Sequence, residues 1–345
     1  MRRYWIFAGL ITMVISLQAQ VGGKSTYSFL NLNNSARIAA LGSNIAFIQD
    51  HDLSLAVANP SFLTPEYDGQ LSLSFVDYFS DINYGFASYS RDFNQIGTWA
   101  ATMQFINYGR FSYANVSGDR EGEFSGSELA ATLGWGRQLT PLFTIGANLK
   151  MIYSGLEQYT SYGLAVDVAG TYYQEDKGLT ASLIIKNAGL EIAKNYEGDK
   201  NSLPFEIQAG VSKALEHLPF RYSIILTHLE NWQLRYNDPY DPVLRVDPIT
   251  GEVNERTTAA KAGDELLRHI VIGGELTPAK FFSLRVSYNY QRRQEMKIYD
   301  AKGMVGWSWG IGIQVSKFRF SYARSAFHAA GSPNYITIST NLNTW

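Results

Sequence analysis

The stretch Phe282-Ser283-Leu284-Arg285-Val286-Ser287-Tyr288-Asn289-Tyr290-Gln291 decides the fold. Every second residue is apolar or aromatic, and those between are Ser, Arg, Asn and Gln. Successive side chains of an extended strand point to opposite faces, so the segment is a strand with one apolar and one polar face. Residues 307–315 repeat the pattern, with Trp307, Trp309, Ile311, Ile313 and Val315 set against Ser308, Gly310, Gly312 and Gln314. So does 205–212, where Phe205, Ile207, Ala209 and Val211 alternate with Glu206, Gln208, Gly210 and Ser212. In 143–153, Phe143, Ile145, Ala147, Leu149, Met151 and Tyr153 occupy one face. Weaker alternation at 69–78, 82–91, 97–108, 126–138, 159–173, 178–187, 219–229, 268–276, 318–325 and 334–343 brings the total to about 14 strands.

Soluble sandwiches alternate too, so the connections must decide. After even strands they are short: 92–96, 139–141, 174–177, 215–218, 277–280 and 316–317. After odd strands most are long: 109–125, 188–203, 230–267, 292–305 and 326–333, with 79–81 and 154–158 as short exceptions. Short turns at one end and long loops at the other mark an outer-membrane barrel, with the short turns and the C-terminus periplasmic and the long loops extracellular. The expected fold is therefore an all-β antiparallel outer-membrane barrel, 67–345, in a Gram-negative envelope. Aromatic residues near strand ends, among them Tyr78, Tyr108, Tyr153, Tyr172, Tyr173, Trp232, Tyr236 and Trp345, suit the membrane–water boundary.

Composition agrees. Aromatic residues make up 14% and charged residues only 17%, a strand-and-turn balance rather than a helical one. There is no cysteine, which excludes disulfides, thiolate metal sites and cysteine nucleophiles. Arg2 and Arg3, the apolar run 4–17 and Ala19 have the order of an export signal, so residues 1–19 are expected to be removed before Gln20. Beyond them no run of about 18 apolar residues could cross a bilayer as a helix. Without Arg2 and Arg3 the net charge is about −4, against −2 for the whole chain, which disfavours nucleic acid as a partner.

Residues 20–66 do not alternate. Ser35 stands where it can cap a short Ala-rich helix, Asp50-His51-Asp52 can open another, and Asn59-Pro60 interrupts what precedes it. A small element of this kind suits a plug inside the barrel, expected to enter from the short-turn side with Arg37 near an acidic group. The run Tyr27-Ser28-Phe29-Leu30-Asn31-Leu32, then Ser35-Ala36-Arg37, Ala40-Leu41-Gly42, Asp50, Asp52 and Asn59-Pro60-Ser61-Phe62-Leu63, resembles the opening of the PorQ and PorV outer-membrane proteins of type IX secretion. The FadL channels for long-chain fatty acids are more distant relatives of that family. The Phe29-Leu30-Asn31-Leu32 run and the modest length favour the PorQ branch. The resemblance implies a non-enzymatic scaffold that tethers a PorZ-like surface protein in an attachment complex containing PorV-like and PorU-like components. The competing expectation on the same fold is a FadL-like transporter of hydrophobic small molecules.

Other chemistry finds little footing. Gly22-Gly23-Lys24-Ser25-Thr26 is not a phosphate-binding loop, because Gln18 stands where that motif needs Gly. Histidines 51, 217, 228, 269 and 328 lack ligand spacing for zinc. Asp238, Asp241 and Asp247 lack the regular spacing and turn glycine of a calcium loop. No nucleophile–base motif stands out, so no catalytic residue, metal or cofactor is expected. The 230–267 connection is the expected docking site: Trp232, Tyr236 and Tyr240 beside Arg235 and Arg245 are residue types that dominate binding hot spots.

Overall fold

The computed structural model describes residues 25–117, 119–197, 202–235, 258–297, 303–328 and 331–344. The expected leader, 1–19, lies outside them. Fourteen antiparallel strands close on themselves in simple sequential order, each paired with its chain neighbours and β1 with β14. They are β1 (Gln70–Asp77), β2 (Asn83–Asp92), β3 (Thr98–Ala114), β4 (Arg120–Thr140), β5 (Phe143–Leu156), β6 (Tyr159–Gln174) and β7 (Leu179–Lys194). Then come β8 (Glu206–Ala214), β9 (Phe220–Leu226), β10 (Ile270–Ala279), β11 (Phe282–Asn289), β12 (Trp307–Val315), β13 (Phe318–Ser325) and β14 (Asn334–Asn341). The seam is in register, Leu71 opposite Thr340 and Phe75 opposite Ile336. Closure leaves no strand edge unpaired, the condition for sheet backbone to sit in hydrocarbon.

The alternation read from sequence becomes the two faces of the wall. Leu284, Val286, Trp307, Trp309, Ile313, Phe320, Ile336 and Ile338 are exposed on the outside, where lipid, not water, is their natural solvent. Ser283, Arg285, Ser287, Ser308, Ser321 and Thr337, between them, are buried inside. No helix among the described residues is long and apolar enough to cross a membrane; the strands do that.

Several expected boundaries move. The 109–125 connection is mostly strand, because β3 runs to Ala114 and β4 starts at Arg120, and Asn115 accepts from the Ser117 and Asp119 amides at 3.0 and 2.9 Å between them. Likewise β7 runs to Lys194, into the expected 188–203 loop. The strand expected to reach Gln291 stops at Asn289, whose side chain accepts from the Arg292 amide at 2.9 Å and starts a short helix. The last part of the expected 230–267 loop is also helical. Tyr108 turns inward, its hydroxyl bonded to Glu128. Tyr78 joins an aromatic cluster with Phe79, Tyr84 and Phe327.

Residues 25–69 thread the lumen. At the long-connection end the Thr26 amide donates to the Ser202 carbonyl at 3.1 Å and the Tyr27 hydroxyl to Ser161 at 3.0 Å. At the short-turn end the Leu342 amide donates to the Gly69 carbonyl at 2.8 Å. The segment therefore runs down from the long-connection mouth and meets β1 at the far end, rather than entering from the short-turn side. Ile38, Leu41, Ile48, Leu53, Leu55, Phe62, Leu63 and Tyr67 form one buried cluster within it. Full burial of each such side chain favours the packed state by about 1.5–3 kcal/mol.

Candidate functional site: the plug and the long-connection mouth

The lumen is filled by short elements whose free ends are satisfied by the wall. Helix α1 (Ala36–Ala40) is capped by Ser35, which accepts from the Ile38 amide at 3.3 Å. Because a helix this short leaves most of its backbone groups orphaned, the barrel supplies partners. The Ala36 amide donates to Thr337 Oγ1 at 2.9 Å, and Ser287 and Ser325 hydroxyls donate to the Ala40 and Ala39 carbonyls at 2.7 and 3.2 Å. Leu41 is buried, and Gly42, at φ +85°, reverses the chain and offers its carbonyl to Asn289 Nδ2 at 3.1 Å. Helix α2 (Leu53–Ala56) is capped by Asp52, accepting from the Ser54 amide at 3.2 Å. Asn59 does the same for the Ser61 amide at 3.2 Å, and Pro60 follows as the first residue of a 3-10 turn.

Arg37 is the centre of charge. Its guanidinium takes both oxygens of Asp50, one at 2.9 Å, and reaches Asp52 at 3.1 Å and Glu275 of β10 at 2.7 Å. Glu275 also accepts from Arg285 Nε at 2.6 Å, and Arg319 approaches Asp52 at 3.4 Å. Three guanidiniums thus face three carboxylates across the junction of plug and wall. Burial would weaken the hold of Arg37 on its proton, but Asp50, Glu275 and Asp52 outweigh it and place the pKa well above the ordinary arginine value. Burial would likewise raise Asp52, yet Arg319 and Arg37, with Ser54, hold its carboxyl below the usual range. Removing Arg37 would leave Glu275 with Arg285 alone and Asp52 with Arg319 alone, at a cost toward the lower end of about 3–5 kcal/mol, the range for a broken buried pair.

A second join lies nearer the mouth. Lys150 pairs with Asp167 at 2.8 Å and donates to Asn187 Oδ1 at 2.7 Å, and Asn187 Nδ2 donates to Asn31 of the plug at 2.9 Å. Below, Pro60 lies against the wall where only glycine leaves room: a Cβ on Gly146 would stand 2.2 Å from the Pro60 carbonyl carbon, and one on Gly136 2.5 Å from the Leu63 oxygen.

Of the expected docking residues, Tyr236, Tyr240 and Arg245 lie outside the described residues. Trp232 is exposed at the mouth, its ring stacked on His269 at 5.1 Å, and Arg235 closes the described part of the segment. Helix α3 (Thr258–Arg268) turns Asp264, Glu265 and Arg268 inward, where Arg268 pairs with Asp264 at 3.0 Å and Tyr290 donates to Asp264 at 2.6 Å. It leaves Leu266 and Leu267 exposed beside the strand β10 it feeds. Sequence reading did not single out Leu266, Leu267, or the Gly136 and Gly146 seats. The alternation in 282–291 did place Arg285 on the polar face, without showing that Arg37 of the plug would meet it through Glu275.

A closed 14-strand antiparallel barrel, apolar outside and filled by its own N-terminal segment, has the fold of FadL-like outer-membrane barrels. The fold is similar to that of the Pseudomonas putida toluene transporter TodX, at 12% identity over 90% of this chain and 99% of that one, with a TM-score of 0.52. It is also similar to the monoaromatic hydrocarbon channel CymD, at 11% identity over 90% of this chain and 97% of that one, TM-score 0.51. At such identities the likeness is one of fold, and these neighbours are transporters and channels rather than enzymes. No protein-family pattern and no curated protein sequence matches the chain.

Proposed function

We propose that this chain is a plugged, non-enzymatic outer-membrane scaffold that holds a surface protein at its long-connection end. The observation that carries the reading is the apolar display there, on a barrel whose lumen its own plug fills. β4 has 21 residues and β3 has 17, whereas about 9–11 tilted residues cross a bilayer. The β3–β4 hairpin therefore projects beyond the membrane, and it exposes Phe111 and Tyr113, whose rings pack on Phe124 at 5.1 and 4.8 Å. Trp232, Leu266 and Leu267 add apolar surface at the same end. Exposed aromatic groups rimmed by polar residues are what a docking face requires. The words in 27–63 that resemble PorQ support the type IX attachment complex as the setting and a PorZ-like protein as the partner, with the long connections outside the cell.

The test is copurification from native membranes. Replacing 235–260 with a short Gly-Ser linker, or Phe111 and Tyr113 with Ser, should leave a heat-modifiable barrel while the surface partner is lost. Retention of the partner by both variants at wild-type level would place docking elsewhere.

The fold supports a second reading more directly than the first: passage of hydrophobic small molecules, as the names of TodX and CymD describe for those proteins. A specific feature favours it. Where the outward residues Gly170, Ala181 and Ala209 are small, an apolar groove of about 710 Å³ lies on the lipid-facing wall beside Phe143, Leu183 and Ile224. Toluene entry into proteoliposomes separates the two readings, since a scaffold predicts the same rate with and without the protein.

A further inference from the structure

Between the plug and the barrel wall, toward the long-connection mouth, lies a cavity of about 270 Å³ with two unlike walls. One wall is aromatic and cationic. Arg292, on α4 (Tyr290–Met296), lies with its guanidinium carbon 4.1 Å from the Phe327 ring centroid, and Tyr78, Tyr84 and Tyr335 continue the surface. Its terminal nitrogens donate to Ser308 Oγ at 3.2 Å and to the Gly42 carbonyl at 3.3 Å. Among the described residues no carboxylate pairs with it. A guanidinium has five N–H donors, so three remain for something else.

The opposite wall is polar and its charge is already engaged. Glu206 faces His228 at 3.6 Å and accepts from Gln208 at 2.5 Å and Asn44 at 3.2 Å. One amide oxygen in this lining has no partner although it is buried: Gln208 Oε1, in a residue with 0% exposure. Buried polar atoms almost always find a partner, and those that do not point to an unrepresented one. A half-open cavity with a guanidinium that no described carboxylate pairs, aromatic faces beside it and an unused amide oxygen is the chemistry of a small-ligand pocket.

We propose that this cavity binds a small aromatic anion, its charged group on Arg292 and its ring against the tyrosines and Phe327. Guanidinium and carboxylate geometries match in two parallel hydrogen bonds, and the volume suits a molecule of about a dozen non-hydrogen atoms. The site lies between plug and wall and does not require passage through the barrel, so it stands whether the protein docks a partner or transports.

Benzoate is the probe, with uncharged benzamide of the same shape as its control, titrated calorimetrically against the detergent-solubilised full-length protein. Saturable benzoate binding is expected, at least tenfold tighter than benzamide. Arg292→Gln should abolish that preference and Arg292→Lys should restore part of it, each variant keeping heat-modifiable mobility. If Arg292→Gln does not fold, the benzoate–benzamide comparison on the wild-type protein still decides. No saturable benzoate binding, equal binding of benzamide, or undiminished benzoate binding by a folded Arg292→Gln protein would overturn the proposal.

Discussion

At the residue scale, Arg37 shows how one charged side chain ties two parts of the molecule together. It belongs to the plug, while Glu275 and, through it, Arg285 belong to the wall. Arg37→Met leaves Asp50 without its partner and Glu275 and Asp52 with only Arg285 and Arg319, and should destabilise the folded barrel by roughly 3 kcal/mol, read as a lower urea midpoint for heat-modifiable mobility. An unchanged midpoint would mean the cluster contributes nothing net. The sign of its pH response follows from Asp52. A carboxyl held below its unfolded value, about 3.9, stabilises at neutral pH and loses that contribution only as pH falls through the lower folded value. The plug should therefore stay seated from pH 7 to pH 4.5, with the same urea midpoint difference between wild type and Asp52→Asn at both. His228 runs the other way. Burial would lower it, but Glu206 and Glu230 outweigh burial and raise its pKa. The stabilisation is complete below the unfolded value of about 6.5 and fades as pH rises through the higher folded one. NMR titration of labelled histidine should place its midpoint above 6.5, and a midpoint below that would remove the assigned contacts.

At the element scale, strand positions were legible and strand ends were not. A strand between lipid and a polar lumen must alternate, so Phe282–Asn289 and Trp307–Val315 could be read from their residues alone. Outside the bilayer that pressure lapses: 109–125, with its Gly, Ser, Asn and Asp residues, reads as loop, yet cross-strand pairing continues through Phe111 and Phe124. Capping was legible at Ser35 and in the Asp50-His51-Asp52 cluster, whose oxygens suit an N-terminus, whereas Asn59, read only as an interruption, turns out to cap the 3-10 turn at Pro60. The seats of the plug were not, because Gly136 and Gly146 become meaningful only when Pro60, far along the chain, arrives against them. Gly146→Val should therefore unseat the Pro60 turn, lowering stability by about 1–3 kcal/mol. Gly170→Ala, facing open space on the outer wall, should not. Comparing their urea midpoints checks the pair, and equal effects would show that close packing at Pro60 is not what requires glycine.

At the scale of the whole molecule, the sequence reading reached the closed barrel because parity and connection lengths are properties of the chain. It could not reach the path of the plug, which depends on contacts as distant as Arg37 with Glu275 and Asn31 with Asn187. Nor could it find the mouth cavity, whose walls come from six separate parts of the sequence. The path has a consequence for closure. Residues 25–69 are bonded near the mouth, at mid-lumen and at the short-turn end, so thermal motion at one join does not open the others. The most direct measurement of this account is single-channel current through the wild-type protein in planar bilayers, alongside Arg37→Met and Gly146→Val. The account predicts almost no current from the wild type, with openings in the two variants. Large, stable wild-type conductance, unchanged by either substitution, would contradict it.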